Sequence, residues 1–252
     1  MASNTNLKYI PWIIGFGLLM ENIDISIINT AIPQMAISLR CNPISLKIGI
    51  TSYLLTLAAF IPISGYVADK YGGRNTFFCA MLVFLFGSFC CGFAHSIEEL
   101  VLGRLIQGVG GAMMAPVGRL ILIKTHTKAQ LIKAFSSLTM LGQAGAAVGP
   151  VLGGILSGYI SWRSIFFVNI PFGIVALMLI QRYIPNSKAH ADDRFDFLGF
   201  GIFAIAAGLI SFSTALISEN SHFAQLYYYM LLAGVVVMGL FYFHSKTTKY
   251  PS

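Results

Sequence analysis

The chain has 252 residues, 56% of them hydrophobic and only 10% charged, with a mean hydropathy of +0.77. A soluble domain carries about 25% charged residues, so this chain lacks the polar surface to cover a globule in water, which argues against a soluble all-helical protein. The formal charge of +7 gathers at the ends of apolar runs, so it speaks for membrane topology and against nucleic acid.

Eight apolar runs, roughly 9–31, 48–68, 75–95, 99–123, 131–157, 164–184, 197–217 and 226–245, are predicted to be transmembrane helices, since about 20 residues of helix cross hydrocarbon. The first contains LLMENIDISIINTAIP (18–33), with Glu21 and Asp24 inside it. Residues 9–20 rise only about 18 Å as a helix, against a hydrocarbon core of ~30 Å. The acids therefore lie at membrane depth. Helical spacing puts Phe16, Met20, Ile23 and Ile27 on an apolar stripe expected to face lipid. Glu21, Asn22, Asp24, Ser26, Asn29 and Thr30 fill the remaining arc, which must face protein or water. Residues 32–47 are expected to form an outer loop.

The second span contains Pro62 and ends on the inner side at Asp69, Lys70 and Arg74. The third holds Cys79, Cys90 and Cys91, expected to be small packing residues, while Cys41 falls in the outer loop. The four show neither a metal spacing nor a disulfide framework. In the fourth span Arg104, Gly108, Gly111, Ala115 and Gly118 share one helix face, and Pro116 interrupts it. Arg104 sits about a turn inside the outer end, at the depth of Asp24, and is the expected charge partner of that acid. A guanidinium stays charged when buried, so its neighbours must adjust to it. The fifth span repeats glycine every four residues, Gly145, Gly149 and Gly153, with Pro150 among them; such a face lets another helix or a substrate approach closely. After the sixth span the polar stretch PNSKAHADDRFD (185–196) marks a boundary between six spans (1–184) and a final pair (197–252).

With the N-terminus inside, the inner loops hold Lys8, Lys70, Arg74, Arg119, Lys124, Lys128, Lys133, Arg182, Lys188, Arg194, Lys246 and Lys249. The outer loops hold only Arg40, Lys47 and Arg163. This asymmetry predicts both termini in the cytoplasm. No cleavable signal peptide is expected, because the first run contains acids and lacks a small-residue cleavage pattern. Neither G-x-S-x-G nor H-E-x-x-H occurs, so an enzyme is not expected.

Five motifs carry a family resemblance. GYVADKYGGRN (65–75) resembles the G-x-L-A-D-R-x-G-R-K signature of the major facilitator superfamily through Gly65, Ala68, Asp69, Lys70, Gly72 and Arg74; Gly73 departs, standing where the first basic residue of the pair belongs. RLIQGVGGA (104–112) resembles the superfamily's R-x-x-Q-G-x-G-A-A, and GAAVGPVLGG (145–154) resembles its antiporter motif G-x-x-x-G-P-x-x-G-G at Gly145, Gly149, Pro150, Gly153 and Gly154. NIDISIINTAIP (22–33) and WRSIFFVNIPFG (162–173) resemble signatures of the drug/proton antiporters with 14 spans.

The resemblance implies an all-α membrane protein, a major facilitator N-terminal six-helix bundle plus two extra transmembrane helices. It implies proton-coupled export of amphipathic drugs or related small molecules across a bacterial inner membrane, with protons as coupling ion and no other cofactor. Asp24 becomes the proposed proton carrier, Arg104 its partner and Glu21 a second carboxylate or cation contact. Gly65, Asp69, Lys70, Gly72 and Arg74 form the gating loop, and Asn29, Gln107, Arg119 and Gln143 are candidates to bind substrate. The expected partners are the bilayer, an amphipathic or cationic substrate, and a second six-span bundle or a periplasmic adaptor. Such a pathway lies between two bundles, and this sequence supplies one. The alternatives are a half-transporter acting as a homodimer, or a non-transporting fragment that binds or regulates another subunit.

Overall fold

The computed structural model describes residues 7–186, 196–217 and 224–247, which are helical apart from short turns. In chain order the helices are α1 (Ile10–Leu39), α2 (Pro43–Phe60), α3 (Ile63–Tyr71), α4 (Gly73–Gly92), α5 (Ile97–Thr125), α6 (Lys128–Tyr159), α7 (Ser164–Phe167), α8 (Asn169–Tyr183), α9 (Phe197–Ile217) and α10 (Ala224–Thr247). Among the described residues six helical stretches are long and apolar enough to cross a membrane, α7 and α8 counting as one. α2 and α3, bent by 60° at Pro62, make a seventh. The eighth expected span, α9, is apolar over Leu198–Ser211, a stretch shorter than the other spans.

Local chemistry sets the helix ends. α5 begins at Ser96, whose hydroxyl accepts from the Glu99 N–H at 3.3 Å. Glu98 and Glu99 sit in its first turn and Lys124 in its last, each complementing the helix dipole. α6 opens on a capping box in which the Gln130 side chain accepts from the Thr127 N–H at 3.2 Å. α1 has Pro11 in its first turn, where the missing N–H costs nothing. It ends at Arg40, which adopts a left-handed φ of 51°.

Two expectations about α1 need correction. The outer loop expected over 32–47 is confined to residues 40–42, because α1 continues through Pro33 to Leu39. Proline is tolerated inside such a helix when its neighbours compensate, so Pro33 does not mark an end. The stripe expected to face lipid is instead core: Met20, Ile23 and Ile27 are buried and Phe16 is half-buried. α1 is surrounded on most sides by α6, α8, α2 and α5, so its apolar face meets protein.

Glycines set how closely the helices pack. A methyl group at Gly149 would collide with Ser26 Oγ, and one at Gly153 with Thr30 Oγ1; at Gly145 it would collide with the Leu19 carbonyl. α1 and α6 therefore interlock along this row. On α5, a Cβ at Gly108 would meet Thr56 at 2.7 Å and one at Gly111 would meet the Tyr53 hydroxyl at 2.6 Å. The glycine face that accompanies Arg104 thus admits α2. α9 pairs with α10 and leans on α2, where the Phe60 and Phe200 rings meet at 5.7 Å.

Candidate functional site

Asp24, half-way along α1, is 1% exposed, and Arg104 on α5 is 0% exposed. Arg104 Nη1 donates to Asp24 Oδ2 at 2.5 Å and to Gln107 Oε1 at 2.8 Å. Gln107 Nε2 and Asn169 Nδ2 each donate to Asp24 Oδ1 at 2.9 Å. Asn169 also donates to Ser88 Oγ at 3.0 Å, and that hydroxyl donates to the Phe166 carbonyl at the same distance. The Arg104 guanidinium lies 4.2 Å from the centre of the Tyr53 ring, a favourable cation–π geometry. Side chains from α1, α2, α4, α5 and α8 thus converge on one carboxylate.

Spacing within α5 explains part of this. Arg104 and Gln107 are three residues apart, hence neighbours on one helix face, and both reach the same acid. α4 comes close because Gly87 faces Gln107, where a side chain would run into the Gln107 backbone. The expected contact between Asp24 and Arg104 is formed. Gln107, an expected substrate contact, is fully buried, with its amide oxygen accepting from Arg104 and its amide nitrogen donating to Asp24.

The pair is not fully satisfied. Arg104 Nε and Nη2, the Tyr53 hydroxyl and Glu21 Oε2 have no hydrogen-bond partner among the described residues. Glu21, 7% exposed, lies one turn before Asp24 on α1 and close enough to interact electrostatically with Asp24, Tyr53 and Arg119. A buried polar atom without a partner is costly, and these four gather around the same centre. They form a second polar layer around a neutralised pair.

The remaining candidates are not hydrogen-bonded into this network, although Arg119 is close enough to Glu21 to act on it electrostatically. Asn29, Arg119 and Gln143 are exposed, and no hydrogen bond joins them to the network among the described residues. In the gating loop Asp69 binds Lys124, at the end of α5, with Lys124 Nζ 2.6 Å from Asp69 Oδ1. Lys70 donates to the Tyr66 hydroxyl at 3.2 Å, and Arg74 Nε to Asn75 Oδ1 at 3.4 Å. Gly72 holds the turn with φ 91°, a conformation that favours glycine. Gly65 faces open space. The departure at Gly73 has a packing cause, since a Cβ there would meet Ile121 at 2.9 Å. In the antiporter motif Gly145, Gly149 and Gly153 are buried against α1, whereas Pro150 and Gly154 are on the exposed side.

Asn169, Ser88 and Tyr53 were not expected in the site. Asn169 had a visible signal, an amide within the apolar sixth span that cannot face lipid. Ser88 and Tyr53 had none, because a serine or tyrosine in such a span is ordinary.

Comparison with known proteins agrees with this architecture. Residues 14–194 match the family model of the Major Facilitator Superfamily. Relatives named "Putative multidrug resistance protein MdtD" are 44% identical over 211 residues in Enterobacter sp. (strain 638) and 42% identical over 246 residues in Salmonella paratyphi A. The matches cover 84% and 97% of this chain, and 44% and 52% of those relatives. The chain thus spans about half the length of the relatives it matches. Among solved structures, a peptide transporter POT in complex with sulfate is similar with a TM-score of 0.66 at 16% identity, covering 96% of this chain and 53% of that one. The POT family transporter PepTSo gives 0.69 at 14% identity, with 96% and 52% covered; at such identities the likeness concerns the fold. Six or seven membrane-spanning helices among the described residues, a buried ion pair at their core and a family match over residues 14–194 lead to one conclusion: the chain is a multi-pass membrane protein and belongs to the major facilitator superfamily.

Proposed function

We propose that the chain forms the first bundle of a proton-coupled exporter of amphipathic or cationic small molecules in a bacterial inner membrane, with residues 185–196 as a cytoplasmic link to the two extra helices and both ends of the segment in the cytoplasm. The observation that carries the reading is the Asp24–Arg104 pair, fully buried at membrane depth. An intramembrane ion pair is expensive and marks a proton or ion relay more often than a structural brace.

Protonation of Asp24 removes the charge that holds Arg104 Nη1. The guanidinium then has Nε, Nη2 and the freed Nη1 available, and Glu21 is the nearby carboxylate without a hydrogen bond on Oε2. A shift of Arg104 between the two acids is the bistable element, and one proton biases it. Asp24 carries the proton in this scheme and Glu21 acts as the alternative counter-charge or as a contact for a cationic substrate.

A second bundle is part of the reading. Asn29, Arg119 and Gln143 are exposed on the spans of α1, α5 and α6. At membrane depth they must meet water or protein rather than lipid, and the name of the relatives, which are about twice as long, supports drugs as the substrate class. Transport is tested by drug-driven release of a pH gradient in everted membrane vesicles from cells that express the chain. Asp24→Asn should abolish exchange while Asp24→Glu retains part of it. Equal exchange by wild type and Asp24→Asn would overturn the assignment.

A further inference from the structure

A cavity of about 580 Å³ opens between the start of α1 and the α5–α6 junction, away from the buried pair. Its walls include Lys8, Trp12, His126, Gln130, Lys133 and Ser137. No aspartate or glutamate lines it, and neither lysine has an ion-pair partner among the described residues. Two ammonium groups and an imidazole therefore face one hollow with no carboxylate counter-charge among the described residues. Trp12, 47% exposed, also lines a second cleft, of about 330 Å³, formed by α1, α6 and α8. That cleft is apolar and aromatic, walled by Tyr9, Phe16, Leu141, Leu179 and Tyr183.

The geometry points to an anionic phospholipid bound here, its phosphate in the basic hollow and an acyl chain in the apolar cleft, with Trp12 at the joint. Three features select that occupant. The hollow is cationic and lies on the side that the orientation proposed above gives to the cytoplasm, where the leaflet is anionic and basic pockets between helices take lipid head groups. The adjoining cleft is apolar, which a free phosphate or nucleotide does not need. Trp12, Tyr9 and Tyr183 are the ring types that settle at the head-group level. Neither the hollow nor the cleft is lined by Asp24, Arg104, Gln107 or Asn169, so occupancy requires nothing of the proton relay.

Native mass spectrometry of the chain released from detergent measures this directly, with phosphatidylglycerol, phosphatidylethanolamine and inorganic phosphate as probes. Phosphatidylglycerol should be retained over phosphatidylethanolamine. Lys8→Gln/Lys133→Gln should weaken it about tenfold or more, given the attraction of each lysine to an anionic surface. The charge-matched control Arg74→Gln/Lys246→Gln should bind as wild type, and both lysines are exposed, so folding is not at stake. Trp12→Ala should reduce retention of both lipids. Equal binding of the two lipids, or equal losses in the test and control variants, overturns the proposal. Displacement of phosphatidylglycerol by millimolar inorganic phosphate overturns it too, by making the hollow a site for a soluble anion.

Discussion

Asp24→Asn keeps the shape of the side chain and removes its charge. The carboxylate accepts three hydrogen bonds, from Arg104, Gln107 and Asn169. An amide in its place turns one oxygen into a donor, which must then face either Arg104 Nη1 or the paired donors Gln107 and Asn169. Arg104, already without partners on Nε and Nη2, loses its contacting counter-charge and can regain one only by shifting toward Glu21. Removing one member of a buried ion pair costs about 3–5 kcal/mol, and Arg104→Gln should fall in the same range because it strands the carboxylate. The double variant Asp24→Asn/Arg104→Gln removes both charges of the pair, so its loss should be smaller than the sum of the two by about 2–3 kcal/mol, the upper range for residues in contact. Unfolding free energies in mixed micelles, followed by helical circular dichroism, give the four corners of the cycle. Single losses that add to the double within about 0.5 kcal/mol would mean the two groups do not share a contact and would refute the site.

The antiporter motif separates by packing. Gly149→Ala should destabilise by about 1–3 kcal/mol through overpacking against Ser26 Oγ, and Ser26→Ala should restore part of it, whereas Gly154→Ala, with open space around it, should be neutral in the same unfolding assay. Asp69→Asn should cost less than about 1 kcal/mol, and less still at high salt, because its pair with Lys124 is partly exposed; a larger, salt-independent loss would show the loop to be a structural brace in this bundle.

How much was legible beforehand depended on what decides each feature. The spans could be read from hydropathy because the bilayer imposes a length and forbids unpaired backbone. Asp24 and Arg104 could be matched because two charges at one depth have few other solutions. The burial of Met20, Ile23 and Ile27 could not be read, since a helix in lipid and a helix inside a bundle are both apolar, and periodicity does not say which apolar face meets which. Gln107 and Asn169 illustrate the same limit for polar groups: an amide in a span signals a buried partner without naming it.

The interlock of α1 with α6 has a mechanical corollary. Leu19, Asn22, Ser26 and Thr30 sit like teeth in notches cut at Gly145, Gly149 and Gly153, and four residues of helix advance about 6 Å. Small slips between the two helices are blocked by collision, and the next permitted seat is a whole notch away. Any rocking of this half of the molecule therefore carries the acid of α1 and the glycine row of α6 as one rigid lever, and a molecule leaning on the outer face of α6 would press on Asp24 without touching it.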